Sequence, residues 1–353
     1  MTALGSMLGL AYGDALGKPT EFKNVDAITR TYGPGGPREL PAPALVTDDT
    51  QMALAVAAAL VRSVHAGPDP GRQVAALLDG PDLQPLGAAV PDPEELAQAL
   101  AAEFVAWSVS PDNTRAPGTT CMAACRALSD GQEWRAATRT RSKGCGANMR
   151  VTPIGMLRHW SQRERAGAAQ LQAAITHGHP TALAASDLTA YATRLLLDGT
   201  RPAELPGMLA EYIEDNRARY HHEWLGSLWA EAGAASPADY IEEGWTECRT
   251  ALTRLENALA APAPHLDPCE ATGDGWIAEE ALATGLLCFL MFPTDPVAAL
   301  ARAATTRGDS DSIAALTGAF AGAHLGEQAF PAGWAERIEY GGKLTRAAML
   351  LAR

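Results

Sequence analysis

Apolar residues along this chain gather into alanine-rich stretches that glycine, proline and acidic residues interrupt. The stretches have the length of helices, and no convincing alternation of a half-buried strand is present. Helices are expected at roughly 2–16, 49–66, 94–109, 118–130, 153–160, 167–176, 180–197, 204–215, 238–259, 275–290, 295–306, 311–325 and 332–350. Asp92-Pro93-Glu94-Glu95, Ser236-Pro237 and Thr294-Asp295-Pro296 place a proline and acids where a first helical turn wants them. AEEALATGLLCFLMF is apolar on nearly every face and predicts a buried helix. Pro/Gly-rich stretches at 33–43, 67–93 and 261–275 read as loops between helices of similar composition, so residues 1–353 are expected to form a single all-α domain. No internal repeat with a period of about 20–50 residues is visible.

Composition agrees with that pattern. Hydrophobic residues make up 47% of 353, a globular balance, and alanine dominates over β-branched runs. The net charge of −13 argues against a broad basic face for gripping nucleic acid. Cys121, Cys125, Cys145, Cys248, Cys269 and Cys288 lack zinc-ribbon spacing and read as reduced thiols of a cytoplasmic protein. The N-terminus lacks a basic n-region, and glycines and Asp14 break its apolar stretch, so it does not read as a signal peptide. No apolar run reaches the ~18 residues of a membrane span, and no membrane partner is expected.

Candidate chemistry concentrates in two acidic clusters, each opening a helix of small residues. Thr47-Asp48-Asp49-Thr50 precedes QMALAVAAALV, and Gly308-Asp309-Ser310-Asp311-Ser312 precedes IAALTGAFAGAHLG. A capping residue could explain either cluster alone. Two acids and a hydroxyl at each of two helix starts exceed that need, and they are the donors that hard divalent cations such as Mg2+ or Mn2+ take.

Three further segments stand out. Gly9, Gly13 and Gly17 fall on one helical face, which suits close helix–helix packing; Glu21 follows in PTEF, as a surface acid or within reach of a site. Ser142, Lys143, Gly144, Cys145 and Gly146 form a glycine-rich loop that is either a plain connection or an anion cradle. His177 and His179 sit at a helix junction, where a structural histidine is as expected as a functional one.

Taken in order, GLAYGDALGKPTEF, VTDDTQMAL, RAPGTTCMAA, SKGCGANMRVTPIGML, ITHGHPTALAASD, WIAEEALATGLLCFL and RGDSDSIAALTGAFAGAHLG resemble the ADP-ribosylglycohydrolase family, of the dinitrogenase-reductase-activating glycohydrolase type. The resemblance implies a compact, orthogonal multi-helix bundle with a binuclear Mg2+ or Mn2+ centre. It implies metal ligation by Thr47, Asp48, Asp49, Asp309, Asp311 and Ser312. It also implies a flap glutamate at Glu21, a phosphate loop at Ser142–Gly146, and a histidine near the distal ribose and phosphates at His177. Cys145 stands where family members often carry Asn. Arg115 stands where arginine-specific relatives carry Asp, so a cation that binds substrate but repels a guanidinium is expected at the acceptor mouth.

The implied reaction is hydrolysis of the glycosidic bond at C1″ of an ADP-ribosylated protein or nucleic acid, releasing ADP-ribose, by a monomer. Glu21, Asp48 and Asp309 remain alternatives for the acid–base carboxylate. A non-catalytic ADP-ribose-binding or structural protein on the same fold is the competing reading; retention of oxygen donors at all six ligand positions favours the enzyme.

Overall fold

In the computed structural model, residues 2–65 and 84–352 are described. The expected loop at 67–93 therefore lies outside the described residues as far as 83, as does the last residue of the helix expected at 49–66. Among the described residues there is no strand, only isolated bridges joining Ala44 to Ile338 and Gly144 to Ile277. The all-α expectation holds. No described helix is long and apolar enough to cross a membrane.

The longer helices are α1 (Thr2–Gly17), α2 (Val25–Tyr32), α3 (Asp48–His65), α4 (Pro93–Ser108), α5 (Thr119–Ser129), α6 (Gln162–Ala174), α7 (Pro180–Leu197), α8 (Leu205–Asn216), α9 (Pro237–Ala260), α10 (Ala278–Met291), α11 (Pro296–Ala303), α12 (Ser310–Leu325) and α13 (Gly341–Leu351). Start signals read from the sequence act as caps. Asp92 accepts from Glu94 N–H, Ser236 from Asp239 N–H and Asp295 from Ala298 N–H.

Three local expectations are corrected. α6 begins at Gln162 rather than near 167, because Ser161 and Glu164 form a capping box ahead of it. The helix expected at 153–160 is a single turn, Thr152–Gly155. The helix expected at 332–350 is broken into a turn at Trp334–Arg337 and α13; between them Ile338 bridges Ala44, and Tyr340 adopts a left-handed φ of 60°.

α1 and α12 form the spine of the site. They run antiparallel, backbone against backbone. A Cβ on Gly9 would lie 2.1 Å from Gly318 O, one on Gly13 1.9 Å from Ala314 O, and one on Gly322 1.9 Å from Gly5 O. Only glycine permits that approach. The register brings the C-terminal end of α1 to the N-terminal end of α12, where Thr20 Oγ1 donates to Ser310 Oγ at 3.0 Å and Ser310 Oγ donates to Gly17 O at 3.0 Å. Glu21, just beyond α1, is thereby delivered to the acids that open α12.

Gly13→Val tests this. The added side chain meets backbone rather than a yielding side chain, so the cost should exceed the ~1–3 kcal/mol of ordinary overpacking. A urea midpoint within error of wild type would contradict the packing.

Candidate active site

α3 and α12 both aim their N-termini at one cavity of about 330 Å3. Helix N-termini favour negative charge, which helps two acids occupy each first turn. Glu21, Asp48, Asp49, Asp309, Asp311 and Ser312 all line this cavity. Ligand oxygens of Glu21, Asp309 and Asp311 lie within 4.8 Å of one another. The two clusters, more than 250 residues apart in sequence, therefore meet.

Asp14 fixes the first cluster, a role the sequence reading did not assign. It is fully buried on α1 and accepts from Thr47 N–H at 2.8 Å, Thr50 N–H at 3.1 Å and Thr50 Oγ1 at 2.6 Å. Those contacts cap α3 from a neighbouring helix. The signal was present: a carboxylate beside Gly13, in an otherwise apolar helix, has to find donors. With the N–H groups held by Asp14, the carboxylates of Asp48 and Asp49 are left to face the cavity. Asp48 accepts a 3.2 Å bond from Gly118 N–H. Asp49 Oδ2 accepts from Thr47 Oγ1 at 3.1 Å, while Oδ1 is buried with no hydrogen-bond partner. Thr47 itself is not in the cavity lining.

The second cluster is organised by its own helix start. Asp309 and Asp311 accept from Ser312 N–H at 3.4 and 3.1 Å. Cys145 Sγ donates to Asp309 Oδ2 at 2.7 Å.

Crowding these acids shifts their protonation. Burial, then the charge of Asp311, pushes Asp14 and Asp48 up to about 7. Burial, then Asp311 and Asp48, pushes Glu21 up to about 9. Asp49 and Asp309 are also raised well above the usual carboxylate range, by burial and then by Asp311. Like charges at this density need protons or cations.

The glycine loop forms the opposite wall. Gly144, Cys145 and Gly146 line the cavity, with His177 beneath them. A Cβ on Gly146 would lie 3.0 Å from Cys121 Sγ and 3.2 Å from His177 Cε1, so a larger residue would crowd the wall. Buried Arg150 orients the histidine. Its Nη2 donates to Thr176 Oγ1 at 2.8 Å, and that hydroxyl lies 2.8 Å from His177 Nδ1. The Nε2 side of the ring faces the loop, where a Cβ on Gly144 would lie 3.2 Å from Nε2. Burial and the Arg150 charge push His177 down to about 3, so the ring is neutral. At the mouth, Phe22 and Trp276 stack with centroids 5.6 Å apart. Neither was singled out by the sequence.

Some expected substrate contacts are placed elsewhere. Ser142 Oγ pairs with Thr120 Oγ1 at 2.9 Å, and Lys143 Nζ donates to Glu247 and Glu279, each at 2.7 Å. Neither residue lines the cavity. Arg115 is a clearer correction. Its guanidinium forms a two-point ion pair with Glu339, at 2.5 and 2.9 Å, and also donates to Val46 O. Glu339 Oε2 in turn accepts from Val46 N–H at 3.0 Å. The pair clamps the residue before Thr47 and stays out of the cavity lining. The expected cation at the acceptor mouth is thus a neutralised structural group, whose partner Glu339 lies far from RAPGTTC in the sequence.

The chain matches the ADP-ribosylglycohydrolase family over residues 2–353. It is 26% identical over 346 residues to the ADP-ribosyl-[dinitrogen reductase] glycohydrolase of Rhodospirillum rubrum, covering 96% of this chain and 90% of that one. A protein of Archaeoglobus fulgidus without an assigned function is 26% identical over 340 residues, covering 94% and 90%. Among solved structures, an ADP-ribosylglycohydrolase-related protein complex superposes with a TM-score of 0.62 at 24% identity, over 100% of this chain and 97% of that chain, which bears on the fold. The chain belongs to the ADP-ribosylglycohydrolase family and is a glycohydrolase enzyme.

Proposed function

We propose that this enzyme removes ADP-ribose from a modified protein side chain by divalent-cation-dependent hydrolysis at C1″. The observation that carries the reading is the unpartnered, buried Asp49 Oδ1 in a cavity that also gathers Glu21, Asp48, Asp309 and Asp311. A carboxylate oxygen without a donor, among further carboxylates, fits a pair of hard cations such as Mg2+ or Mn2+. Asp48 and Asp49 would hold them from the α3 side, with Thr47, outside the lining, orienting Asp49 through its hydroxyl, and Asp309, Asp311 and Ser312 from the α12 side. Bound there, such ions supply charge neutralisation and Lewis-acid polarisation of oxygen.

The protein's own groups do the rest. The Gly144–Gly146 wall, with the neutral ring of His177, binds the diphosphate and distal ribose. Ser142 and Lys143 support the loop through Thr120, Glu247 and Glu279. The main-chain N–H of Cys145 is committed to Trp276 O at 3.1 Å, which joins the loop to the mouth. Remote binding of the diphosphate positions C1″ against the acids. Cleavage with oxocarbenium character needs a proton delivered to the leaving atom and one taken from water. Glu21, Asp48 and Asp309 are the carboxyls able to hold those protons. Glu21 lies at the mouth beside Phe22, where the acceptor enters.

The acceptor is read from two facts. The Rhodospirillum rubrum relative is named for action on an ADP-ribosylated protein. Arg115 is turned onto Glu339, so the objection that it would repel an arginine acceptor falls. The net charge of −13 disfavours a nucleic-acid acceptor. Release of free ADP-ribose should be measured with arginine-, serine- and DNA-base-linked substrates. Protein-type linkages are expected to be cleaved with Mg2+ or Mn2+; cleavage of the base-linked substrate alone would overturn the acceptor.

Glu339→Gln probes the Val46 clamp. It weakens the ion pair with Arg115 while keeping the side-chain shape. The expected result is a roughly tenfold fall in kcat/KM and weaker Mn2+ binding. Unchanged values in both would remove the clamp from the account.

A further inference from the structure

Cys145 is an unusual donor among the acids of this cavity. Its Sγ lies 2.7 Å from Asp309 Oδ2 and 3.6 Å from Ser312 Oγ. A second observation points to a ligand in the same place: Asp49, only 2% exposed, leaves Oδ1 unpartnered in the same cavity. Oxygen donors alone select hard cations, whereas a sulfur beside them adds affinity for soft ones. We propose that Cys145 Sγ is a ligand donor of this centre and makes it a binding site for thiophilic divalent cations of the Cd2+ and Zn2+ class, in competition with Mg2+ or Mn2+.

The inference rests on the cation site proposed above. On binding, the S–H bond to hydrogen is replaced by a sulfur–metal bond and the proton leaves to solvent, which also frees Asp309 Oδ2 to ligate. Cys121 lines the cavity too, but its Sγ faces Arg150 Nη1 at 3.6 Å, and a guanidinium disfavours a second cation there. Cys125, Cys248, Cys269 and Cys288 are buried and line no part of this cavity.

The test uses chelator-treated full-length protein, titrated separately with Cd2+ and Mn2+ by calorimetry and by ultraviolet absorption. Wild type should show sulfur-to-cadmium charge-transfer absorption saturating with Cd2+. Cys145→Ser should abolish it and weaken Cd2+ binding at least about tenfold, with Mn2+ affinity kept within about threefold. Cys121→Ser should retain the absorption. Circular dichroism confirms that each variant is folded. Absorption that persists in Cys145→Ser, or Cd2+ affinity unchanged by it, overturns the inference. Mn2+ binding to wild type together with no sulfur-to-cadmium absorption on Cd2+ titration overturns this inference alone; failure of Mn2+ to bind at all overturns the underlying cation site as well.

Discussion

Asp311→Asn is expected to lower turnover by about 10³-fold or more, while the cation-free protein becomes more heat-stable than wild type. Loss of a cation ligand at a hydrolytic site removes several kcal/mol of transition-state stabilisation, and each ~1.4 kcal/mol is tenfold in rate. The stability gain has a different origin. The charge of Asp311 helps to raise the carboxyls of Asp14, Glu21, Asp48, Asp49 and Asp309. Its side chain accepts from Ser312 N–H at 3.1 Å, a bond that an asparagine oxygen can keep. Removing the charge therefore relieves repulsion without opening a cavity. Turnover and melting temperature, measured on the same chelator-treated samples, check both halves. A variant that keeps full activity would show that Asp311 is not a ligand, and one that melts below wild type would show that the acids do not repel.

The second large effect is on pH. A carboxyl whose folded pKa is raised binds more protons folded than unfolded, so stability is greatest at low pH and is lost as pH rises. Here the loss begins near the unfolded value of about 4. It continues through the folded values of about 7 for Asp14 and Asp48 and about 9 for Glu21. Cation-free protein should therefore melt at lower temperature at pH 8.5 than at pH 5.5. Mn2+ should restore the difference at pH 8.5 and do little at pH 5.5, where protons compete for the ligands. Part of the slope will not respond to Mn2+. Burial also raises Asp187 to about 7 and Glu103 to about 8, and neither lines the cavity. Thermal scans across that range, with and without Mn2+, make the comparison. An equal Mn2+ shift at both pH values would contradict the assignment of the cluster as the cation site.

Much of this was legible in the sequence because it is local. Alanine-rich stretches between proline and glycine gave helices, and T-D-D-T and D-S-D-S each crowded acids onto a helix start. The glycines of α1 even carried the packing, since a face of glycine has one common use. The remainder depended on long-range geometry. Glu339 lies 224 residues from Arg115, and only the fold shows that it neutralises the guanidinium. Lys143 is likewise claimed by Glu247 and Glu279. Asp14 looked like an interruption in an apolar helix until Thr47 and Thr50 supplied its donors. Phe22 and Trp276 come from different ends of the chain and meet only at the mouth.

Calorimetric titration of chelator-treated protein with Mn2+ tests the central claim, that the two acid clusters form one cation centre. Wild type should bind two ions. Asp49→Asn, in the first cluster, and Asp309→Asn, in the second, should each weaken or remove that binding although the altered residues open different helices. Two ions bound with wild-type affinity by either variant, or no binding by wild type, would contradict it.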